Sequence, residues 1–339
     1  LAEKKQDFAC NKTKIAIINY RSQHYSEMYM KFLNTLATAA AAVSSLLFGA
    51  NLAQADSKEP IVIPTHNWTS QITMAYVIGG IFESIGNNVS YVPADSQAVY
   101  ESIRNGDVTI GHEVWQSTFG KSFNNALDAG GIIDVGKHAS PTQEEWWYPA
   151  YVGDLCPGLP SWEALDDCAD LFATAGSGGK GRYLDGPMDW HGQETLDRIE
   201  ALNMNFTAKF AGSSGALWAE LESAAKEQRA VVVFNWSPNF TDSGMGGSFV
   251  EFPAYTEGCK KSEGGDGMCG SAPAGWLKKA AYYQMPKKWP AAYKIYNNVS
   301  FTKSDIGNMA ALVDIDGMSH EAAAAKWLAD NEAMWKSWL

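Results

Sequence analysis

Along residues 59–115 the spacing of apolar positions alternates between the period of a strand and that of a helix. EPIVIPTHNW (59–68) is an apolar run closed by a polar turn and predicts a strand. QITMAYVIGGIFESIGN (71–87) then carries apolar residues at helical spacing from Ile72 to Ile85. VSYVPA (89–94) predicts a second strand, DSQAVYESIRNGD (95–107) a helix opened by Asp95 as N-cap and closed near Gly106, and VTIGHEVW (108–115) a third strand. Alternating β and α segments predict a parallel or mixed sheet with helices on both faces. The pattern breaks in EEWWYPAYVGDLCPGLPSWEAL (144–165), where Pro149, Gly153, Pro157, Gly158 and Pro160 interrupt regular structure. A new α/β run begins at Leu171, passes through VVVFNW (231–236) and ends in the Gly-rich segment 257–275, which predicts a second lobe. In the tail, Ala324, Trp327, Leu328, Met334, Trp335 and Trp338 recur at helical spacing and read as packing residues.

The first 55 residues fall outside that fold. From Met30 the chain has a short segment carrying Lys31, an apolar stretch through Leu47 and small residues at Ala53 and Ala55, which predicts a signal peptide over 30–55 cleaved before Asp56. Residues 1–29 read as an upstream extension. The apolar core is shorter than the roughly 20 residues of a membrane-spanning helix, so the expected product is a soluble exported protein. Composition agrees with a folded chain: 46% of the 339 residues are apolar and 19% charged, a length that allows two domains. Of 26 basic and 38 acidic residues, six and three lie before Asp56, leaving 20 against 35. That acidic balance, with no run of Lys or Arg, argues against a nucleic-acid partner.

Cysteine usage fits an oxidising compartment. Without Cys10, four cysteines remain, and the short-range pairs Cys156 with Cys168 and Cys259 with Cys269 each enclose a loop rich in turn residues. No C-x2-C or Cys/His spacing points to zinc.

Several motifs with catalytic associations are present only in part. GSGGKG (176–181) satisfies G-x-G-x-x-G, but Gly186 and Pro187 stand where a phosphate-binding helix would continue, so it predicts a loop. His66, His112, Glu113 and His191 supply the donor types of a metal-dependent hydrolase, although their scattered spacing gives no ligand motif. The tryptophans are the stronger signal. Trp68, Trp115 and Trp236 end predicted strands and Trp190 lies in the loop GPMDWHG, the positions at which α/β folds place binding residues. Trp147 is a weaker candidate for the same place. Indole faces closing on one point attract a methylated ammonium group by cation-π interaction.

At GHEVWQ, GPMDWHG and VVVFNWSPNF the sequence resembles the periplasmic substrate-binding proteins of ABC importers for glycine betaine, proline betaine, choline and trimethylamine N-oxide. The resemblance implies an α/β, two-lobed type II periplasmic-binding-protein fold with the ligand in the interlobe cleft. It places lobe 1 at 56–152 and 273–339 and lobe 2 at 153–272. It implies an aromatic cage of Trp115, Trp190 and Trp236, with Trp68 as a fourth wall, and puts His191 where betaine-binding members offer a backbone amide to the ligand carboxylate. Glu113, two residues before Trp115 and so on the same strand face, departs from those members. A carboxylate lining the cage repels a zwitterion's carboxylate and favours choline or, when protonated, the oxygen of trimethylamine N-oxide. HNWTSQ, GHEVWQ and VPADSQAVYESIRNGD look closest to the trimethylamine N-oxide binders. The expectation is therefore a periplasmic, monomeric transport protein without cofactor or enzymatic activity, which binds a quaternary or tertiary methylated amine and delivers it to an inner-membrane ABC permease. Glycine betaine, choline and dimethylsulfoniopropionate are the alternative ligands.

Overall fold

The structure, a computed structural model, describes residues 57–339, so the expected extension, the signal peptide and Cys10 lie outside the described residues. β1 (Ile61–Thr65) and β2 (Val89–Pro93) pair in parallel across α1 (Thr69–Ser84). α2 (Val99–Asn105) follows a turn in which Asp95 Oδ1 accepts the Gln97 and Ala98 amides, and it ends at Gly106, whose φ of 86° favours glycine. β3 (Ile110–Trp115) joins this pair: the Thr109 amide donates to the Val62 carbonyl at 2.8 Å and the Val62 amide to Thr109 Oγ1 at 2.9 Å. α3 (Gln116–Ala129) leads on to β4 (Ile132–Pro149), an 18-residue strand.

β4 is shared by both halves of the molecule. Its first part runs antiparallel to β9 (Gly275–Tyr282), from Ile132 opposite Tyr282 to Thr142 opposite Gly275. Its second part runs antiparallel to β7 (Val232–Ser237), from Gln143 opposite Ser237 to Trp147 opposite Val233, and its end pairs with β8 (Gly247–Phe249). β5 (Gly181–Asp185) and β6 (Phe206–Phe210) complete the order β3-β9-β4-β7-β5-β6. The change of partner thus falls between Thr142 and Gln143, ahead of the boundary at 152 that the Pro/Gly-rich break suggested. Trp146, Trp147 and Tyr148 are strand residues, and Pro149, which has no N–H to offer the ladder, is tolerated as the last of them. On the return side β9 begins at Gly275. α4 (Met188–Ala201) and α5 (Ser214–Glu227) pack on the second half; α6 (Pro290–Asn298), α7 (Lys303–Asp314) and α8 (His320–Asp330) follow β9.

One continuous apolar core runs through both halves. Ile61, Ile63, Met74, Ile78, Ile110 and Leu277 are wholly buried in the first. In the second, Trp146 stacks on Tyr183 with centroids 3.7 Å apart and Phe206 meets its edge. In the tail, Trp327 and Trp338 both stand edge-on to Phe301, at 5.5 and 5.4 Å, which is the packing role their spacing predicts. The segment 176–181 makes turns, with Gly178 and Gly179 at positive φ, before Gly181 enters β5. Both predicted disulfides, Cys156–Cys168 and Cys259–Cys269, are formed.

Truncating Trp327 to Ala removes a buried indole from this aromatic cluster and should destabilise the fold by ~3–5 kcal/mol in urea unfolding. Because no side chain of the cluster lines the cavity described next, ligand affinity measured below the transition should stay unchanged.

Candidate functional site

Four indoles converge on one cavity. Trp68 follows β1 and precedes the first residue of α1, Trp115 ends β3, Trp190 lies in the first turn of α4, and Trp236 lies on β7. All four line one space together with Thr118, Phe119, Glu144 and Phe234. Neighbouring rings stand nearly perpendicular: Trp68 to Trp190 at 5.6 Å and 85°, Trp190 to Trp236 at 5.6 Å and 79°, and Trp115 to Trp236 at 6.5 Å and 72°. Phe119 stacks on Trp68 at 5.6 Å, and Phe234 tilts against Trp236 at 5.6 Å. Perpendicular neighbours satisfy the ring quadrupoles edge to face and make the walls of a box.

The ring edges are held by polar groups. Trp68 Nε1 and Trp115 Nε1 both donate to Glu113 Oε2, at 2.6 and 3.0 Å, and Ser70 Oγ donates to the same oxygen at 3.1 Å. Trp190 Nε1 donates to Asn67 Oδ1 at 3.0 Å, and Gln97 Nε2 donates to the Trp190 carbonyl at 3.0 Å. Trp236 Nε1 is buried without a hydrogen-bond acceptor.

Glu113 does not line the cavity; it sits behind two of its walls. The carboxylate that lines it is Glu144, directly across the β4–β7 ladder from Trp236. Ser117 N, in the first turn of α3, donates to Glu144 Oε2 at 3.0 Å, and Thr118 Oγ1 donates to Oε1. Burial raises the Glu144 pKa, against the lowering effect of the Thr118 bond, His191, Lys260 and the Ser117 amide. Burial likewise pushes Glu113 up to about 7, with the bonds from Trp68, Trp115 and Ser70 opposing it.

Two further expected site residues stand elsewhere. His191 lies outside the cavity lining, with Nε2 3.0 Å from Asp185 Oδ1 and its ring 4.2 Å from Phe234. Burial opposes its charge, but Asp185, followed by Glu194 and Glu144, outweighs burial and raises its pKa. Trp147 is one position out of phase with Glu144 and Trp146 on β4; its indole packs against Gly247, where a Cβ would meet Cζ2 at 2.0 Å, and it lines a separate cavity with Asn235, Thr241 and Asp242. The hydrolase constellation also comes apart. His66 Nδ1 is 2.8 Å from the Ala94 carbonyl and His112 Nε2 is 2.9 Å from the Gln71 carbonyl, and burial lowers their pKa values to about 4 and about 3. Among the described residues no three His, Cys, Asp or Glu side chains gather as a metal site.

The residues that sequence reasoning missed follow simple spacing. Phe119 is four after Trp115 on α3, Phe234 two before Trp236 on β7, and Glu144 is found by pairing β4 with β7.

The family described as the substrate-binding domain of the ABC-type glycine betaine transport system matches residues 59–330. The chain belongs to this family. It is the substrate-binding component of an ABC-type transport system and not an enzyme. The trimethylamine N-oxide-binding protein of Pelagibacter ubique (strain HTCC1062) is 57% identical to this family member over 303 residues, 88% of this chain and 96% of that one. Among solved structures, lactococcal OpuAC in its closed-liganded conformation with glycine betaine superposes with a TM-score of 0.63 at 17% identity, covering 83% of this chain and 99% of that one. An ABC-transporter choline-binding protein in complex with choline gives 0.65 at 17% identity, covering 82% and 91%. These likenesses show the fold, two α/β lobes of the type II periplasmic-binding class.

The placement of Trp147 generates a test of the geometry. Trp147→Phe should lower stability by ~1–2 kcal/mol through lost burial, yet leave the affinity for tetramethylammonium, read by calorimetry, within about twofold of the parent. Phe234→Ala should instead weaken that affinity by ~1 kcal/mol or more, because it strips one wall of the cavity.

Proposed function

We propose that this protein captures trimethylamine N-oxide in the tryptophan cage and hands it to an ABC permease. The observation that carries the reading is the pairing of four indoles with one carboxylate, Glu144, around a single small cavity. A methylated nitrogen has no N–H to satisfy, so it leaves water for an apolar box without losing hydrogen bonds, and each ring face adds roughly 0.5–2 kcal/mol of cation-π attraction when desolvated. The N-oxide oxygen needs a donor. Glu144, whose pKa burial raises, supplies one at the wall of the box when protonated, with a hydrogen bond of about 1.5–3 kcal/mol. This is the role the sequence assigned to Glu113, transferred to the carboxylate that lines the space. In its ionised form the same group repels the carboxylates of glycine betaine and dimethylsulfoniopropionate. The 57% identity with a protein named for trimethylamine N-oxide binding supports the choice.

In this reading Trp68, Trp115, Trp190 and Trp236 bind the ligand. The lobes, divided at Thr142/Gln143 on β4 and again ahead of β9, close over it. The protein works as a periplasmic monomer after removal of residues 30–55, with neither cofactor nor nucleic acid as partner.

Titration calorimetry with trimethylamine N-oxide, choline, glycine betaine and dimethylsulfoniopropionate tests the ranking: trimethylamine N-oxide should bind tightest. Glu144→Gln keeps a donor and should cost trimethylamine N-oxide little, whereas Glu144→Ala should weaken it by ~2 kcal/mol and raise the relative affinity of glycine betaine. Tightest binding of glycine betaine by the parent, insensitive to both changes, would refute the assignment.

A further inference from the structure

The cage has a second carboxylate, Glu113, which has no direct access to the ligand. Its backbone is on β3 and its side chain is 4% exposed. One oxygen, Oε2, receives all three donors, Trp68 Nε1, Trp115 Nε1 and Ser70 Oγ, while Oε1 is buried without a hydrogen-bond donor. Among the described residues no Lys or Arg forms an ion pair with it. A buried carboxylate held only by neutral donors is a costly way to satisfy two indole N–H groups, which a neutral acceptor would serve with less desolvation. Burial therefore disfavours its ionised form, and a positive charge nearby would favour it.

Resting on the reading of the cavity as a methylammonium cage, we propose that Glu113 is a positioning residue that pins Trp68 and Trp115 through one oxygen and whose negative charge makes these two walls stronger cation binders. Two effects act in the same direction. A carboxylate accepting an indole N–H pushes electron density into the ring and deepens the negative potential of its face. The charge itself also attracts a cation across the ring through a low-dielectric wall. The bond geometry fixes the rings as well: Trp68 is held between Phe119 and the edge of Trp190, and Trp115 is turned edge-on towards Trp236.

Of the titratable groups behind these walls, Glu113 and Asp314 are the two that burial pushes towards neutrality, and Glu113 is the one bonded to the indoles. His112, next to it on β3, and His66, stacked on Trp68, are held neutral by burial. Asp314 of α7, bonded to Thr69 Oγ1 at 2.8 Å, is pushed up to about 6 by burial, and Glu144 of β4 is raised across the cavity. Glu113 itself is pushed up to about 7. A cation in the cage favours its ionised form, so binding lowers its pKa and, by linkage, affinity rises as pH rises through about 7.

The test uses the mature protein with tetramethylammonium, a cation with no oxygen for Glu144 to meet. In ¹⁵N-indole spectra of the ligand-free protein, the Trp68 and Trp115 signals, assigned by their loss in Trp68→Phe and Trp115→Phe, should move together with pH through one midpoint near 7. They should stop moving in Glu113→Gln. Tetramethylammonium affinity should fall roughly tenfold in Glu113→Gln at alkaline pH and much less at acid pH. The pH slope should persist in Glu144→Gln. Indole signals that stay still in the parent while tetramethylammonium binds would overturn the role of Glu113 and leave the cage intact. Moving signals without any binding would instead sink the cage reading, and with it the cation-binding half of the proposal. The parent titration needs no variant, so a Glu113→Gln protein that fails to fold does not remove the test.

Discussion

A cage for a methylated ammonium group has to leave ring faces bare while holding the ring edges. An indole carries its one donor on the edge, so every wall needs an acceptor outside the box, in plane with the ring. Much of the local architecture follows from that demand. Trp68 and Trp115 share Glu113, and Trp190 has Asn67, the residue next to Trp68. The βα turns supply donors to the carboxylates: Ser70, from the first turn of α1, donates to Glu113, and Ser117 and Thr118, from the first turn of α3, donate to Glu144. Trp236 is the exception, since its N–H is buried without an acceptor and its ring is held by Trp218 at 5.1 Å and by Phe234.

The two carboxylates of the region divide the work by depth. Glu144 faces the space and meets whatever enters it; Glu113 lies behind the rings and meets only the walls. Strand alternation had put Glu113 on the Trp115 face, which is correct, but the side chain turns to the indole N–H rather than past it. A period-2 argument fixes the face on which a residue lies and not the direction in which a flexible side chain then leans.

That difference shows how far the sequence is legible. Trp68 and Trp115 were visible because each sits where a strand gives way to the next helix, Trp236 because it closes the apolar run of β7, and Trp190 because it follows the Gly186–Pro187 break, although it is a helix residue and not the loop residue expected. Trp147 looked similar but is a strand residue near the end of β4, and the prolines after it disguised a strand as a break. Glu144 was invisible for the same reason: its place depends on the register between β4 and β7, segments separated by about ninety positions, and pairing of that range is set by tertiary packing. The terminal tryptophans, by contrast, were legible as packing residues from helical spacing alone, because their partner Phe301 lies close by in the chain.

The pairing of Thr142 with Gly275 has a mechanical consequence. Both passages of the chain between the lobes cross at one rung of one ladder, and a Cβ on Gly275 would meet Thr142 Oγ1 at 2.5 Å. Two strands tied side by side resist shear and twist about their common direction more than they resist bending across it. The ladder thereby holds the two halves of the box, Trp68 and Trp115 on one side, Trp190 and Trp236 on the other, in one registration.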